Sequence, residues 1–261
     1  MRLQHALICG ALIASGCHAA PKAQPECKDS ACATLPAAKS VVLTASDGVK
    51  VYGSFYEADK PKALILLFHQ AGSSKDEYAT IAPRLVAAGY SALAIDQRAG
   101  GGLYGTNETA QALGREVRFR EAMPDLQAAL DWGRTRKLPI VLWGSSYSAA
   151  LVFPLAAEHP DGIVAVLSFS PGEYFDGDPP VGPAAAKLHI PVLIASGTSK
   201  DETNEADPIF AALPKSAANV RLVPEHGVHG SSTLVAAKNP QGADANFAVV
   251  LGFLNRVVPA K

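Results

Sequence analysis

Nearly unbroken apolar runs, each a few residues long, recur along this chain between segments of helical pattern, and this alternation restricts the fold more than any other feature. Residues 63–68, 91–95, 140–143, 163–167 and 191–195 read as strands buried on both faces, and 220–223 completes the set. A hairpin is expected earlier, over 41–44 and 49–55, turning at Asp47-Gly48. Helices are expected over 75–88, closed by Gly89 as a cap, and over 117–136, 148–158 and 243–256. Strand and helix in alternation imply crossover connections, hence an α/β fold with a mainly parallel central sheet and helices on both faces. The connections are short, so no large inserted lid is expected.

The 261 residues suffice for one large α/β domain, and 48% hydrophobic with 18% charged residues suits an ordinary globular core. A net charge of −1 implies no general attraction to nucleic acid or anionic lipid. Arg115, Arg118, Arg120, Arg134, Arg136 and Lys137 gather in one region, but interleaved acids make it a solvated face, and nucleic acid is not an expected partner.

The N-terminus carries one arginine ahead of an apolar run too short to span a bilayer comfortably, which is the pattern of a secretory signal. The run ends in Ala14-Ser15-Gly16-Cys17, which resembles a bacterial lipobox with Ala14 in place of the usual leucine. That resemblance implies residues 1–17 as a signal segment and Cys17 as a lipidation site. The chain would then be exported, as a membrane-anchored lipoprotein touching the membrane only through that anchor. Cleavage near Ala19 or Ala20 is the alternative and gives a released periplasmic protein. Residues 18–39 are rich in Pro, Ala and Lys and read as a tether, leaving 40–261 as the folded domain. Cys27 and Cys32 lie in the tether, where an oxidising compartment would allow them to pair.

Residues 140–150 contain the chemistry. An apolar strand runs into Gly144-Ser145-Ser146-Tyr147-Ser148 and then into a helix. This resembles the nucleophile turn of the α/β-hydrolase superfamily, Gly-x-Ser-x-Gly, with Ser148 standing for the last glycine. The resemblance covers about 41–258, and the compact, lidless outline is similar to dienelactone-hydrolase-like proteins and small esterases or peptidases. It implies Ser146 as nucleophile, at the apex two places after Gly144, with Ser145 and Ser148 as alternatives within the turn. An acid and a histidine should follow in that order, each just past a strand. Ser196-Gly197-Thr198-Ser199-Lys200-Asp201 resembles the family's acid loop and implies Asp201, with Glu202 next door and Glu173 and Asp176 as outside candidates. His229-Gly230-Ser231 resembles the histidine loop and implies His229 as base, ahead of His226.

His69-Gln70-Ala71-Gly72 resembles the loop that completes the oxyanion hole, which implies backbone N–H donors from Ala71 and Tyr147. Gln70 stands where that loop usually has glycine, a position where φ > 0 would be costly for glutamine. Asp96-Gln97-Arg98 resembles a bracing turn. The glycines of 99–105 do not form a dinucleotide fingerprint, no Walker lysine is present, and no Cys/His/Asp/Glu set has ligand spacing. No cofactor and no metal are therefore expected.

The resemblance implies a carboxylic-ester hydrolase acting through an acyl-enzyme on a small or polymeric acyl substrate. A true dienelactone hydrolase would have cysteine at 146. A serine peptidase or amidase would use the same triad. A non-catalytic envelope binding protein is the reading from another class, motivated by Gln70 and Ser148.

Overall fold

The computed structural model describes residues 37–258. The signal segment, Cys17, Cys27, Cys32 and most of the tether lie outside the described residues. The chain runs β1 (Lys39–Thr44), β2 (Lys50–Tyr56), β3 (Leu64–Phe68), α1 (Ala82–Ala87), β4 (Ser91–Ile95) and α2 (Glu108–Leu113). It continues with α3 (Met123–Arg134), β5 (Ile140–Ser145), α4 (Tyr147–Glu158), β6 (Ile163–Phe169) and α5 (Val181–Ala185). β7 (Val192–Ala195), α6 (Lys200–Ala212), β8 (Val220–Leu222) and α7 (Ala243–Val257) complete it.

The sheet has eight strands in the order β1-β2-β4-β3-β5-β6-β7-β8. β2 pairs antiparallel with both β1 and β4, while every pairing from β4 through β8 is parallel. Strand residues alternate between two apolar layers. Leu64, Leu66 and Phe68 pack with α3 to α6 on one face, and Ile65 and Leu67 pack with α1 and α7 on the other. Burial on both faces explains why these strands read as continuous apolar runs. Helix α4 crosses the middle of the first layer and is buried from Tyr147 to Ala156, so it is apolar nearly all round. No described helix is long and apolar enough to cross a membrane.

Several helical expectations change. The segment expected as one helix over 75–88 breaks into a 3-10 turn, Lys75–Tyr78, and α1, because Pro83 lacks the N–H that an uninterrupted helix would need and instead opens a new first turn. Pro124 likewise begins α3 after the 3-10 turn Phe119–Ala122. Helices α2 and α5 were not expected, and neither was α6. Ser199 caps it by accepting the Glu202 N–H, and Ala206 and Ile209 give it a buried stripe.

Candidate active site

Parallel strands end together, so the loops after β3, β5, β6, β7 and β8 meet along one edge of the sheet. At the end of β5 the backbone turns through Ser146, which has φ 58° and ψ −122°. A non-glycine residue in that conformation costs about 1–3 kcal/mol and persists only where its surroundings enforce it. Here the Ser146 N–H donates to the Phe169 carbonyl at 2.8 Å, and α4 leaves directly from Tyr147. Gly144 is obligatory for this turn, because a Cβ there would overlap the Ser148 carbonyl. Ser148 is buried and donates to the His69 carbonyl at 2.6 Å, so this serine ties the nucleophile helix to the loop after β3.

His229 lies on the loop after β8, its side chain 44% exposed. Its Nδ1 is 3.0 Å from Glu202 Oε1. The carboxylate on the histidine is therefore Glu202, and the expectation of Asp201 is corrected. Both residues sit in the first turn of α6, but neighbouring helix positions point about 100° apart. Glu202 faces the histidine loop while Asp201 is exposed to solvent. Glu173 instead caps α5 through the Val181 and Gly182 N–H groups, and Asp176 is exposed.

Glu202 Oε2 accepts from the Gly197 N–H at 2.6 Å and from the Ser170 hydroxyl at 2.5 Å. Burial would raise this carboxyl, but the bonds from His229, Ser170 and Gly197 outweigh it and hold it at about 2. Glu202 in turn raises His229 above its ordinary value, against the opposing effect of burial. Ser170, a residue with no motif to announce it, also accepts the Gly230 N–H at 2.9 Å. One hydroxyl thus braces both the acid and the histidine loop.

The histidine loop is latched to the serine turn through the residue beside Ser146. The Ser231 N–H donates to Ser145 Oγ at 2.9 Å. Ser146 is part-exposed whereas Ser145 and Ser148 are buried and engaged, which leaves Ser146 as the accessible serine of the turn. Glu202 occupies His229 Nδ1, so Nε2 is the ring nitrogen available to the serine. The two side chains are not joined by a hydrogen bond here, and such contacts commonly tighten only with substrate bound. His226 is exposed, with its backbone carbonyl held by Asn239 and Asn246.

Tyr147 opens α4, where a first-turn N–H has no intrahelical acceptor. Ala71 lies in the turn between His69 and Gly72. Among the described residues neither N–H has a protein acceptor. The positive φ of this loop falls on Gly72 (66°), not on Gln70, so glutamine is tolerated without strain. His69 is fully buried: Nδ1 donates to the Gln70 carbonyl at 2.8 Å, and Nε2 accepts the Gln97 N–H at 3.0 Å. Burial lowers its pKa to about 4, so it is neutral at physiological pH and shapes the loop.

Beside the nucleophile helix, Phe119 stacks on Tyr147 with ring centroids 4.7 Å apart. A cleft of about 380 Å³ opens here, lined by Val117, Phe119, Tyr174 and Phe175 together with Arg118, Arg120, Asp176 and Asp178. The Tyr174 hydroxyl donates to the Ser170 carbonyl at 2.9 Å, which links this wall to the acid's brace. Tyr104 sits on the histidine side, 2.6 Å from Ser232 Oγ. Among the described residues no group of His, Cys, Asp and Glu is arranged to hold a metal ion.

A sheet of this strand order, with a serine on a strained strand-to-helix turn after β5 and a carboxylate-held histidine after β8, defines an α/β hydrolase. The sequence profile of the family described as Serine aminopeptidase, S33, matches residues 59–196, more than half of the chain. The protein belongs to this family and is a hydrolase. No curated protein sequence matches the chain. Among solved structures it is similar to the dienelactone hydrolase of Anabaena variabilis ATCC 29413, at 20% identity over 86% of this chain and 100% of that one, with a TM-score of 0.68. An esterase of Pyrococcus furiosus aligns at 21% identity over 85% of this chain and 93% of that one, with a TM-score of 0.63. The acylaminoacyl peptidase of Pyrococcus horikoshii aligns at 14% identity over 87% of this chain but 43% of its own length, with a TM-score of 0.66. At these identities the likeness is one of fold.

Proposed function

We propose that the protein is a serine hydrolase of carboxylic esters acting through an acyl-enzyme, with Ser146, His229 and Glu202 as its triad. The observation that carries this reading is the His229–Glu202 pair, 3.0 Å apart, with the histidine loop latched to the serine turn. Ser146 Oγ attacks the acyl carbonyl as His229 Nε2 takes its proton, and Glu202 stabilises the imidazolium through Nδ1. The oxyanion is received by the N–H groups of Ala71 and Tyr147. His229 then protonates the departing alcohol. Water, deprotonated by the same nitrogen, releases the acid and restores the serine. Phe119, Tyr174 and Phe175 of the adjoining cleft offer an apolar surface to the acyl or alcohol group, flanked by charged residues of both signs.

A peptidase or amidase is the second reading, favoured by the description of the matching family. Rates on p-nitrophenyl esters of graded acyl length, set against aminoacyl p-nitroanilides, separate the two. Ester turnover with anilide turnover at least about a hundredfold lower supports the first reading, and the reverse order overturns it. We further propose export to a bacterial envelope with Cys17 as the lipidated residue. A membrane-bound chain that becomes soluble on Cys17→Ala is the expected result.

A further inference from the structure

Beneath the loop after β3 lies a carboxylate that the mechanism above does not use. Glu77 is 1% exposed and sits on the 3-10 turn Lys75–Tyr78. Its Oε2 accepts the Gln70 N–H at 2.9 Å, while Oε1 makes no aligned hydrogen bond. Burial pushes the acid up to about 7, against the Gln70 amide and the nearby hydroxyls of Ser145 and Ser73. Protonated or ionised, it offers an oxygen to Gln70.

A buried carboxyl with one oxygen left over is a poor choice for stability alone, since an apolar side chain of similar volume would avoid the desolvation cost. What this one holds is the residue between His69 and Ala71. Gln70 is fixed at its other end as well, where Nε2 donates to Ser232 Oγ on the histidine loop at 3.2 Å. The next residue along the 3-10 turn serves the same assembly. The Tyr78 hydroxyl donates to the Phe68 carbonyl at 2.7 Å and lies 3.4 Å from Ser231 Oγ, which also receives the Trp143 indole N–H at 2.9 Å. The turn therefore grips the oxyanion loop from below at the place where that loop has glutamine instead of glycine.

Resting on the triad reading above, we propose that Glu77 is a positioning residue for the oxyanion hole: by accepting the Gln70 N–H it fixes the peptide that aims the Ala71 N–H at the developing charge. An oxyanion contact is worth most in the transition state, so loss of this grip lowers kcat and leaves KM nearly alone.

The test is steady-state kinetics on p-nitrophenyl acetate, with circular dichroism and Tm recorded for each variant. Glu77→Met removes the acceptor at nearly constant volume. Glu77→Asp withdraws the oxygen by one carbon and keeps the carboxyl group, providing a second reading should the apolar variant not fold. Each is expected to lose about 10- to 100-fold in kcat with KM within about twofold. Glu77→Gln keeps an oxygen for Gln70 and is expected to restore most of that loss. A folded Glu77→Met or Glu77→Asp protein with wild-type kcat overturns the proposal, and so does Glu77→Gln failing as badly as Glu77→Met. Wild-type protein that hydrolyses no acyl ester overturns the functional reading and this inference together, which distinguishes the two failures.

Discussion

His229 Nδ1 and Glu202 Oε1 stand 3.0 Å apart, joining the first turn of α6 to the loop after β8. Two further donors hold the same carboxylate, the Gly197 amide and the Ser170 hydroxyl, so its orientation is set before any substrate arrives. Glu202→Gln leaves this geometry nearly intact but removes the charge that stabilises the imidazolium. It is expected to lower kcat/KM on an acyl ester by about 10²–10⁴-fold. Asp201→Asn, one residue away and exposed, should stay within about twofold in the same assay.

The pH dependence follows from the same pair. In the proposed triad His229 must be neutral to accept the serine proton, and Glu202 raises its pKa above the ordinary histidine value. The acid limb of kcat/KM is therefore expected above pH 6.5, the ordinary midpoint, and Glu202→Gln should move it downward. Linkage has the opposite sign at the two partners. Glu202 is depressed from 4.5 to about 2, so its contribution to stability is present above pH 4.5 and is lost as pH falls toward 2. The contribution of His229 is present below its unfolded value and is lost as pH rises through its raised folded value. Chemical denaturation across pH, on wild type and Glu202→Gln, reads both.

Ser170 braces acid and base loops with one hydroxyl. Ser170→Ala removes a hydrogen bond to an ionised carboxylate, worth about 1.5–3 kcal/mol in general, and is expected to lower kcat/KM by about 10-fold or more. A protein with unchanged kcat/KM would show that Gly197 alone orients the acid.

The turn itself is tested at Gly144, where a Cβ would overlap the Ser148 carbonyl. Gly144→Ala must displace α4 from the end of β5 and is expected to cost about 3 kcal/mol or more, a fall in Tm of roughly 6–12 °C. Thermal unfolding by circular dichroism checks it.

The sheet was legible because burial on both faces leaves an unbroken apolar signature, as at Leu64–Phe68, and because Asp47-Gly48 marks its hairpin. The serine turn was legible for a steric reason, the need for Gly144. The sequence reading missed helices α2, α5 and α6, and with α6 the choice between adjacent acids. Ser199 followed by Glu202 is a helix-start signature, and Ala206 and Ile209 supply the buried spacing. Those signals would have placed residues 201 and 202 on different faces of a helix instead of in a loop. Ser170 and Glu77 had no comparable signal. Each acts through one or two bonds to residues distant in sequence or to a backbone N–H, and such contacts leave no periodicity.

The most direct test of the central claim is fluorophosphonate labelling of the folded protein followed by peptide mass spectrometry, with wild type and Glu202→Gln in parallel. An activated serine at the turn predicts one adduct, on Ser146, formed rapidly in wild type and far more slowly in Glu202→Gln. An adduct on another serine, or folded wild-type protein that stays unlabelled, would contradict the assignment of Ser146 as the nucleophile.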